Sequence, residues 1–252
     1  MIPQERYEKI KSILTEEKTI SIKDLSKKIY TSESTLRRDI NYLESAGFLK
    51  KIRGGVTLSS NTNSEYSSFI RQNRNVDEKQ YIASLCDKYF LKDDLSIYLD
   101  DSSTTSYLTR YFKNYKQLVV LTNSIEIAKN LYDNSNVKCL LSGGTLKFNS
   151  YSLVGLQVYD FLKSFYADYV FISCKCLDSL NVYEADNDLA EIKKIMLQNS
   201  SVKVLLADSS KFYKKSFVSN YKPTQFDYIV TDKKPDDDFI KSLKPFTNVI
   251  WQ

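Results

Sequence analysis

The sequence predicts an α/β chain in two parts: a small helical module closed by a two-stranded wing, then a larger domain on a mostly parallel sheet. Three observations carry that expectation. Apolar residues recur at helical spacing through the first 45 residues and give way to a glycine-centred hairpin pattern. A polar stretch without periodicity, Ser59 to Ser68, follows. Beyond it, short continuous apolar runs alternate with helical segments and end repeatedly on small polar or acidic residues.

In the first part, Tyr7, Ile10, Ile13 and Leu14 make one face of a helix ending near Glu16. Ser21, with Asp24 three residues on, has the spacing of a capping box and opens a short helix that turns Ile22, Leu25 and Ile29 inward. After a turn at Tyr30-Thr31, Ser32 is placed to cap a third helix. That helix buries Leu36, Ile40 and Leu43 and leaves Glu33, Ser34, Thr35, Arg37, Arg38 and Asn41 outward. Gly47 is expected to stop it, since glycine adopts the left-handed conformation without steric cost. Phe48 to Arg53 and Val56 to Leu58 then flank Gly54-Gly55 as a hairpin.

Two helices, a tight turn and a third helix with a polar start make a winged helix-turn-helix, whose recognition helix enters the major groove of double-stranded DNA. Arginine can pair with guanine through two hydrogen bonds, and short hydroxyl side chains reach phosphates or base edges. Ser32, Ser34, Thr35, Arg37 and Arg38 are therefore candidate DNA contacts on the helix, with Lys50, Lys51 and Arg53 on the flanking backbone. Taken alone, Arg37-Arg38 reads more readily as a solvated helix face, since charge runs usually face water. The charge distribution favours DNA: of a net +5, the segment up to Leu58 holds twelve Lys/Arg against eight Asp/Glu, leaving the rest almost neutral.

Composition narrows the chemistry. The 252 residues contain no histidine, which removes His-based acid/base catalysis, Ser-His and Cys-His nucleophiles and most catalytic zinc sites. No catalytic residue, metal ligand or cofactor motif is assigned. Cys86, Cys139, Cys174 and Cys176 are few and unevenly spaced, as reduced thiols are. No apolar run approaches the ~18 residues of a membrane span, and the start lacks signal-peptide character, so a cytoplasmic location without membrane contact is expected.

The stretch 59–75 reads as a linker between a DNA-binding domain at 1–58 and an α/β domain at 76–252. In the latter, strands are expected at Ser96 to Leu99, Leu118 to Leu121, Val137 to Leu141, Tyr169 to Ile172, Val202 to Ala207 and Tyr228 to Val230. Helices are expected at Ile125 to Tyr132 and Ala190 to Asn199. This is a Rossmann-like pattern, in which ligands bind beyond the carboxyl ends of the strands. Three strand tips run into helix starts: Asp100 to Thr105, Thr122-Asn123-Ser124, and Asp208 to Lys211. Free backbone N–H groups there suit an anion, and the same Ser, Thr, Asn and Asp also serve as plain helix caps.

The first part resembles the DeoR family of bacterial transcriptional regulators, on Ser32, Thr35-Leu36-Arg37-Arg38-Asp39, Leu43-Glu44, Gly47 and Gly54-Gly55. Arg53 stands where the family commonly has a histidine. The resemblance continues through Glu78-Lys79 with Ile82, Asp100 with Ser103-Thr104, Thr122-Asn123-Ser124, Gly143-Gly144, Gly155, and Asp208 to Phe212. It implies a carboxyl-terminal domain like ribose-5-phosphate isomerase that senses a phosphorylated sugar or related metabolite and releases DNA. By that resemblance Asp100, Ser102, Ser103, Thr104, Asn123, Gly143, Gly144 and Lys211 are effector-pocket candidates, and Lys175 is a further anion contact. A homodimer or homotetramer is expected, because reading an inverted repeat needs two modules about 34 Å apart.

Two departures fall at the pocket. Ser102 occupies the glycine position of the family's Asp-x-Gly-Thr-Thr loop. Either the loop is reshaped to avoid a positive φ, or the serine hydroxyl replaces a backbone contact. Ser173 to Asp178 replaces a stretch of glycine and small residues, and its Cys174 and Cys176 read as core or pocket lining rather than a redox pair. These residues leave open whether the pocket takes the family's ligand. An isomerase-like enzyme moving protons with Asp100, Asp208 and Lys211 is the alternative reading.

Overall fold

The computed structural model describes residues 3–45, 48–58, 68–147 and 150–252. It divides into two compact units, residues 1–71 and 72–252. The expected stop at Gly47 and residues 59–67 of the expected 59–75 linker lie outside the described residues; in the rest of that stretch the structure has a helix, Ser68–Asn73, where a linker was expected.

The first unit contains α1 (Pro3–Glu17), β1 (Thr19–Ser21), α2 (Ile22–Ile29), α3 (Glu33–Ser45) and the wing strands β2 (Leu49–Ile52) and β3 (Gly55–Leu58). Ile10, Leu14, Leu25, Ile29, Leu36, Ile40 and Leu43 are all essentially inaccessible and meet Phe48, Leu49 and Val56 in one core. The expected helical faces therefore pack as read, with Tyr7, Ile13 and Ile22 half-buried at their margin. Ser21 caps α2: its hydroxyl accepts from the Asp24 N–H at 3.0 Å and donates to the Asp24 carboxylate at 2.6 Å. Strand β1 was not expected; it pairs antiparallel with β3, Thr19 opposite Thr57 and Ser21 opposite Gly55. A Cβ at Gly55 would lie 2.5 Å from the Ile20 carbonyl oxygen, so glycine is required for that approach. Gly54, at φ 81°, closes the two-residue turn of the wing.

The second unit begins in α4 (Ser68–Asn73) and continues with α5 (Val76–Phe90), β4 (Ser96–Leu99), α6 (Ser103–Ser106), β5 (Leu118–Thr122), α7 (Ile125–Leu131), β6 (Val137–Leu141), β7 (Thr145–Leu146) and β8 (Leu153–Val154). Then come α8 (Leu156–Lys163), β9 (Ala167–Ser173), β10 (Cys176–Leu177), β11 (Val182–Glu184), α9 (Asn187–Gln198), β12 (Ser200–Leu206), β13 (Val218–Tyr221), β14 (Tyr228–Val230), α10 (Asp237–Leu243) and β15 (Asn248–Ile250). Among the described residues the main sheet has seven strands in the order β15-β14-β12-β9-β4-β5-β6, every neighbouring pair parallel. All six expected strands are present within two residues of their expected ends; β15 adds the seventh.

Apolar residues alternate across this sheet. Tyr98, Leu121, Val170, Ile172, Leu205 and Ile229 meet α8, α9 and α10 on one face. Ile97, Leu99, Val120, Phe171, Leu206 and Val230 meet α5, α7 and Leu108 and Phe112 on the other. Both faces are covered, which is why these strands read as continuous apolar runs. The chain runs outward from β4 through β5 to β6, then returns to the other side of β4 with β9. The topological switch point thus lies between the carboxyl ends of β4 and β9.

Candidate DNA interface and effector site

In the first unit the α3 side chains separate by function. Leu36, Asp39, Ile40 and Leu43 are buried, while Ser32, Ser34, Arg37 and Arg38 are exposed and Thr35 is half-buried. The Ser32 hydroxyl lies 3.0 Å from both the Ser34 and the Thr35 hydroxyls and accepts weakly from the Thr35 N–H at 3.3 Å, so the helix start is a small ring of hydroxyls. Arg37 approaches Glu33 at 3.8 Å with both side chains more than half exposed, a pair worth little in water. Asp39, the third residue of Arg37-Arg38-Asp39, points the other way and receives both Nε and Nη2 of Arg6, at 2.7 and 3.0 Å.

On the wing, Lys50, Lys51 and Arg53 are all exposed. Lys51 differs from its neighbours: its Nζ is 2.6 Å from Glu44 Oε2, and its N–H donates to Glu44 Oε1 at 3.0 Å. These contacts hold the Glu44 carboxyl below its ordinary value. Among the described residues, Arg38, Lys50 and Arg53 have no ion-pair partner.

In the second unit, the strand tips at the switch point form one buried polar cluster. Asp100 is fully buried: Oδ1 accepts from the Ser102 N–H at 3.1 Å and the Thr105 hydroxyl at 2.8 Å, and Oδ2 accepts from the Ser173 N–H at 3.0 Å. Lys193 of α9 reaches the same carboxylate at 3.2 Å and donates to Glu184 Oε1 at 2.8 Å and the Ser173 carbonyl at 2.9 Å. Burial alone would pull this ammonium down, but Glu184 and Asp100 beside it hold it well above its ordinary value. Asp100 therefore ties β4, β9 and α9 together, with both oxygens occupied.

A second group lies at the end of β12. Lys211 donates to the Ser173 hydroxyl at 2.7 Å and stands 4.0 Å from Asp208. Asp208 also accepts from Asn75 Nδ2 at 2.9 Å. Burial pushes the Asp208 carboxyl up, yet Lys211, the Ser210 hydroxyl, Lys79 and Asn75 together hold it below the usual range. Lys79, on α5, is itself buried.

Ser102, Ser103, Thr104 and Asn123, which follow β4 and β5, are all buried. Ser102 has φ −75°, so no positive φ is imposed on the serine. Its hydroxyl accepts from the Thr105 N–H at 3.2 Å as a helix cap. Thr104 Oγ1 and Asn123 Oδ1 are buried without a hydrogen-bond partner. Asn123 Nδ2 is used, donating to the Leu153 carbonyl at 3.1 Å. Gly143 and Gly144 follow β6 in an exposed loop at φ 68° and 112°; a Cβ at Gly144 would meet Val154 O and Val158 Cγ2 at 2.8 Å. Lys175 is half-buried between β9 and β10, and its N–H donates to the Tyr183 carbonyl at 2.9 Å.

Cys174 and Cys176 are buried free thiols; burial raises them to about 12 and about 11, out of the reactive range. Among the described residues no group of His, Cys, Asp and Glu could hold a metal ion. No described helix is long and apolar enough to cross a membrane.

Glu184 and Lys193 were not anticipated from sequence. The available signal was position: Lys193 falls on the buried stripe of α9, between Leu189-Ala190 and Met196-Leu197. A lysine there needs a partner.

A winged helix-turn-helix joined to a parallel-sheet domain with a polar cluster at its switch point defines a two-domain DNA-binding regulator. The family models described as "DeoR-like helix-turn-helix domain" and "DeoR C terminal sensor domain" match residues 6–62 and 74–233. The chain belongs to the DeoR family of transcriptional regulators. It is 31% identical to the HTH-type transcriptional regulator GolR of Listeria innocua, over 93% of this chain and 92% of that protein. It is 28% identical to the lactose phosphotransferase system repressor of Streptococcus mutans, over 99% and 100%. It is 27% identical to the HTH-type transcriptional repressor CsqR of Escherichia coli, over 91% and 88%. Among solved structures, ribose 5-phosphate isomerase A from Methanocaldococcus jannaschii superposes with a TM-score of 0.41 and 19% identity over 56% of each chain. So distant a likeness says nothing about activity.

Proposed function

We propose that this regulator is a cytoplasmic repressor of a carbohydrate-metabolism operon. Residues 1–58 bind an operator as part of a homodimer or homotetramer, and residues 76–252 release it when a phosphorylated sugar or related metabolite binds. Ser32, Ser34, Thr35, Arg37 and Arg38 meet the major groove, and Lys50, Lys51 and Arg53 meet phosphates beside it. The observation that carries the sensor reading is the pair of orphaned atoms at the ends of neighbouring strands: Thr104 Oγ1, just after β4, and Asn123 Oδ1, just after β5, are buried and unpartnered. A buried hydroxyl or carbonyl without a partner is costly, and a polar ligand would supply one.

An anionic group near Lys79, Lys211 and the start of α6, with sugar hydroxyls toward Asn123, matches the chemistry of these residues. Asp100 and Ser102 hold the loop, Ser103 and Thr104 supply hydroxyls, Gly143-Gly144 form the rim, and Lys175 adds charge at the edge. The repressor names of the Streptococcus mutans and Escherichia coli relatives agree with negative control. The test is to select a binding duplex from a random library and measure its affinity with and without pentose and hexose phosphates. Ligand-dependent release without turnover supports the sensor; conversion of the sugar phosphate would replace it with an isomerase-like enzyme.

A further inference from the structure

The segment from Gln72 to Asn75 is gripped from two directions by the elements that build the candidate effector site. Asn75 precedes α5 at φ 53° and makes no side-chain cap to that helix. Its amide instead donates to Asp208 Oδ1 and Ser210 Oγ, both at 2.9 Å, crossing more than 130 positions of sequence. From the other direction the Tyr107 hydroxyl donates to the Gln72 carbonyl at 3.3 Å. Tyr107 follows directly on α6, the helix that carries Ser103 and Thr104.

Beside the segment lies a cavity of about 400 Å³, lined by Gln72, Asn73, Tyr107, Arg110, Glu126 and Asn130 among others. Interiors are close-packed, so an open volume next to the end of α4 and its two-residue junction with α5 gives that segment room to shift. The grip is also chemically sensitive to an anion. Asp208 is the carboxylate that Lys211 approaches at 4.0 Å, and Lys211 is half-buried, more accessible than the buried Lys79. A phosphate at Lys211 competes for its charge and sets a like charge beside Asp208. Asp208 then exchanges partners, and one of them, Asn75, sits on the stretch of chain leading back to the DNA-binding module.

We infer that Asn75 is a positioning residue that transmits occupancy of the effector site to the 72–75 segment, and along the chain to DNA affinity. This rests on the sensor reading above and adds the route by which it acts. Asn75 holds no substrate; it reports where Asp208 is.

The test uses full-length protein, a duplex selected by the unsubstituted protein, and ribose 5-phosphate, fructose 6-phosphate and galactose 6-phosphate as probes. Asn75→Gly keeps the left-handed backbone without strain and removes only the amide. Tyr107→Phe removes only the second grip and guards against a variant that fails to fold. Two readouts separate binding from coupling: the thermal shift given by each probe and the fall in duplex affinity. If the unsubstituted protein shows about a tenfold fall, within the ordinary range of allosteric coupling, Asn75→Gly should keep the thermal shift and lose most of the fall. Tyr107→Phe should reduce the fall and also keep the shift. Asn75→Asp, which sets a carboxylate against Asp208, should weaken duplex binding with no sugar phosphate present. A full-sized fall in Asn75→Gly overturns the inference, and so does loss of its thermal shift, which would make Asn75 part of the binding site. Neither shift nor fall in the unsubstituted protein, with any of the three probes, overturns the sensor reading itself.

Discussion

Arg6 and Asp39 lock α1 to α3 through two parallel hydrogen bonds, at 2.7 and 3.0 Å, with Asp39 buried. The consequence is directional: with Asp39 turned inward, Arg37 and Arg38 project into solvent from the opposite side of α3. Asp39→Ala should therefore lower the thermal midpoint of the first unit and weaken binding to every duplex, selected or random. Arg6→Ala should do the same, and the double variant should be little worse than either alone, since one interaction is lost once. Strictly additive losses would show that Asp39 has another role.

Arg37→Ala and Arg38→Ala should leave the thermal midpoint unchanged, because both side chains are exposed and Arg37's pair with Glu33 is long. Against the selected duplex, loss of a bidentate base contact should cost about 1–3 kcal/mol. Against random DNA the loss should be smaller. Fluorescence anisotropy on the two duplexes measures both; equal losses would make these arginines phosphate contacts.

The wing lysines are not equivalent. Lys50 and Arg53 have no ion-pair partner among the described residues, whereas the Lys51 ammonium is 2.6 Å from Glu44. Lys50→Ala or Arg53→Ala should each reduce the salt slope of DNA binding by about 0.9, one phosphate contact. Lys51→Ala should reduce it by less, since its charge is already shared within the protein. A Lys51→Ala slope as shallow as that of Lys50→Ala would show that DNA displaces Glu44.

How much of this was legible follows from what each residue type signals. Helix α3 announces itself because Leu36, Ile40 and Leu43 repeat at helical spacing, and the main strands because both faces are covered and apolar residues run on without a break. Strand β1 was invisible: three residues are too few to alternate, and it exists because Gly55 lets β3 approach Ile20. The polar residues after β4 and β5 leave the same edge of the sheet because the two strands are parallel neighbours. Glu184 and Lys193 stayed hidden because a charged residue reads as solvated until a tertiary partner buries it.

Those two residues give a stability prediction. Lys193→Met leaves Glu184 and Asp100 buried without their cation, a loss expected to cost about 3–5 kcal/mol by urea denaturation. Adding Glu184→Gln should recover part of it. A cost below about 1 kcal/mol for Lys193→Met would mean that water reaches the cluster and screens the pair.

Asp208 gives the pH dependence. Its folded-state carboxyl lies below the ordinary value, so its contribution to stability is fully present above about pH 4, the unfolded range, and is lost as pH falls through the lower folded value. Asp208→Asn should flatten that acid limb of a stability curve and leave the curve near pH 7 to 8 parallel to the original. An unchanged acid limb would assign it to other carboxylates.

Thr104 separates stability from sensing. Its hydroxyl is buried and unpartnered, so Thr104→Val replaces an unsatisfied oxygen with a methyl group of similar size. Without ligand, the variant should be more stable by about 1 kcal/mol, the desolvation cost relieved. With a sugar phosphate that shifts the original protein's midpoint, its own shift should shrink, because the hydroxyl that a ligand would satisfy is gone. Opposite signs in one substitution are the mark of an oxygen kept for a ligand. A destabilised Thr104→Val with an undiminished ligand shift would place Thr104 in the packing of α6 instead.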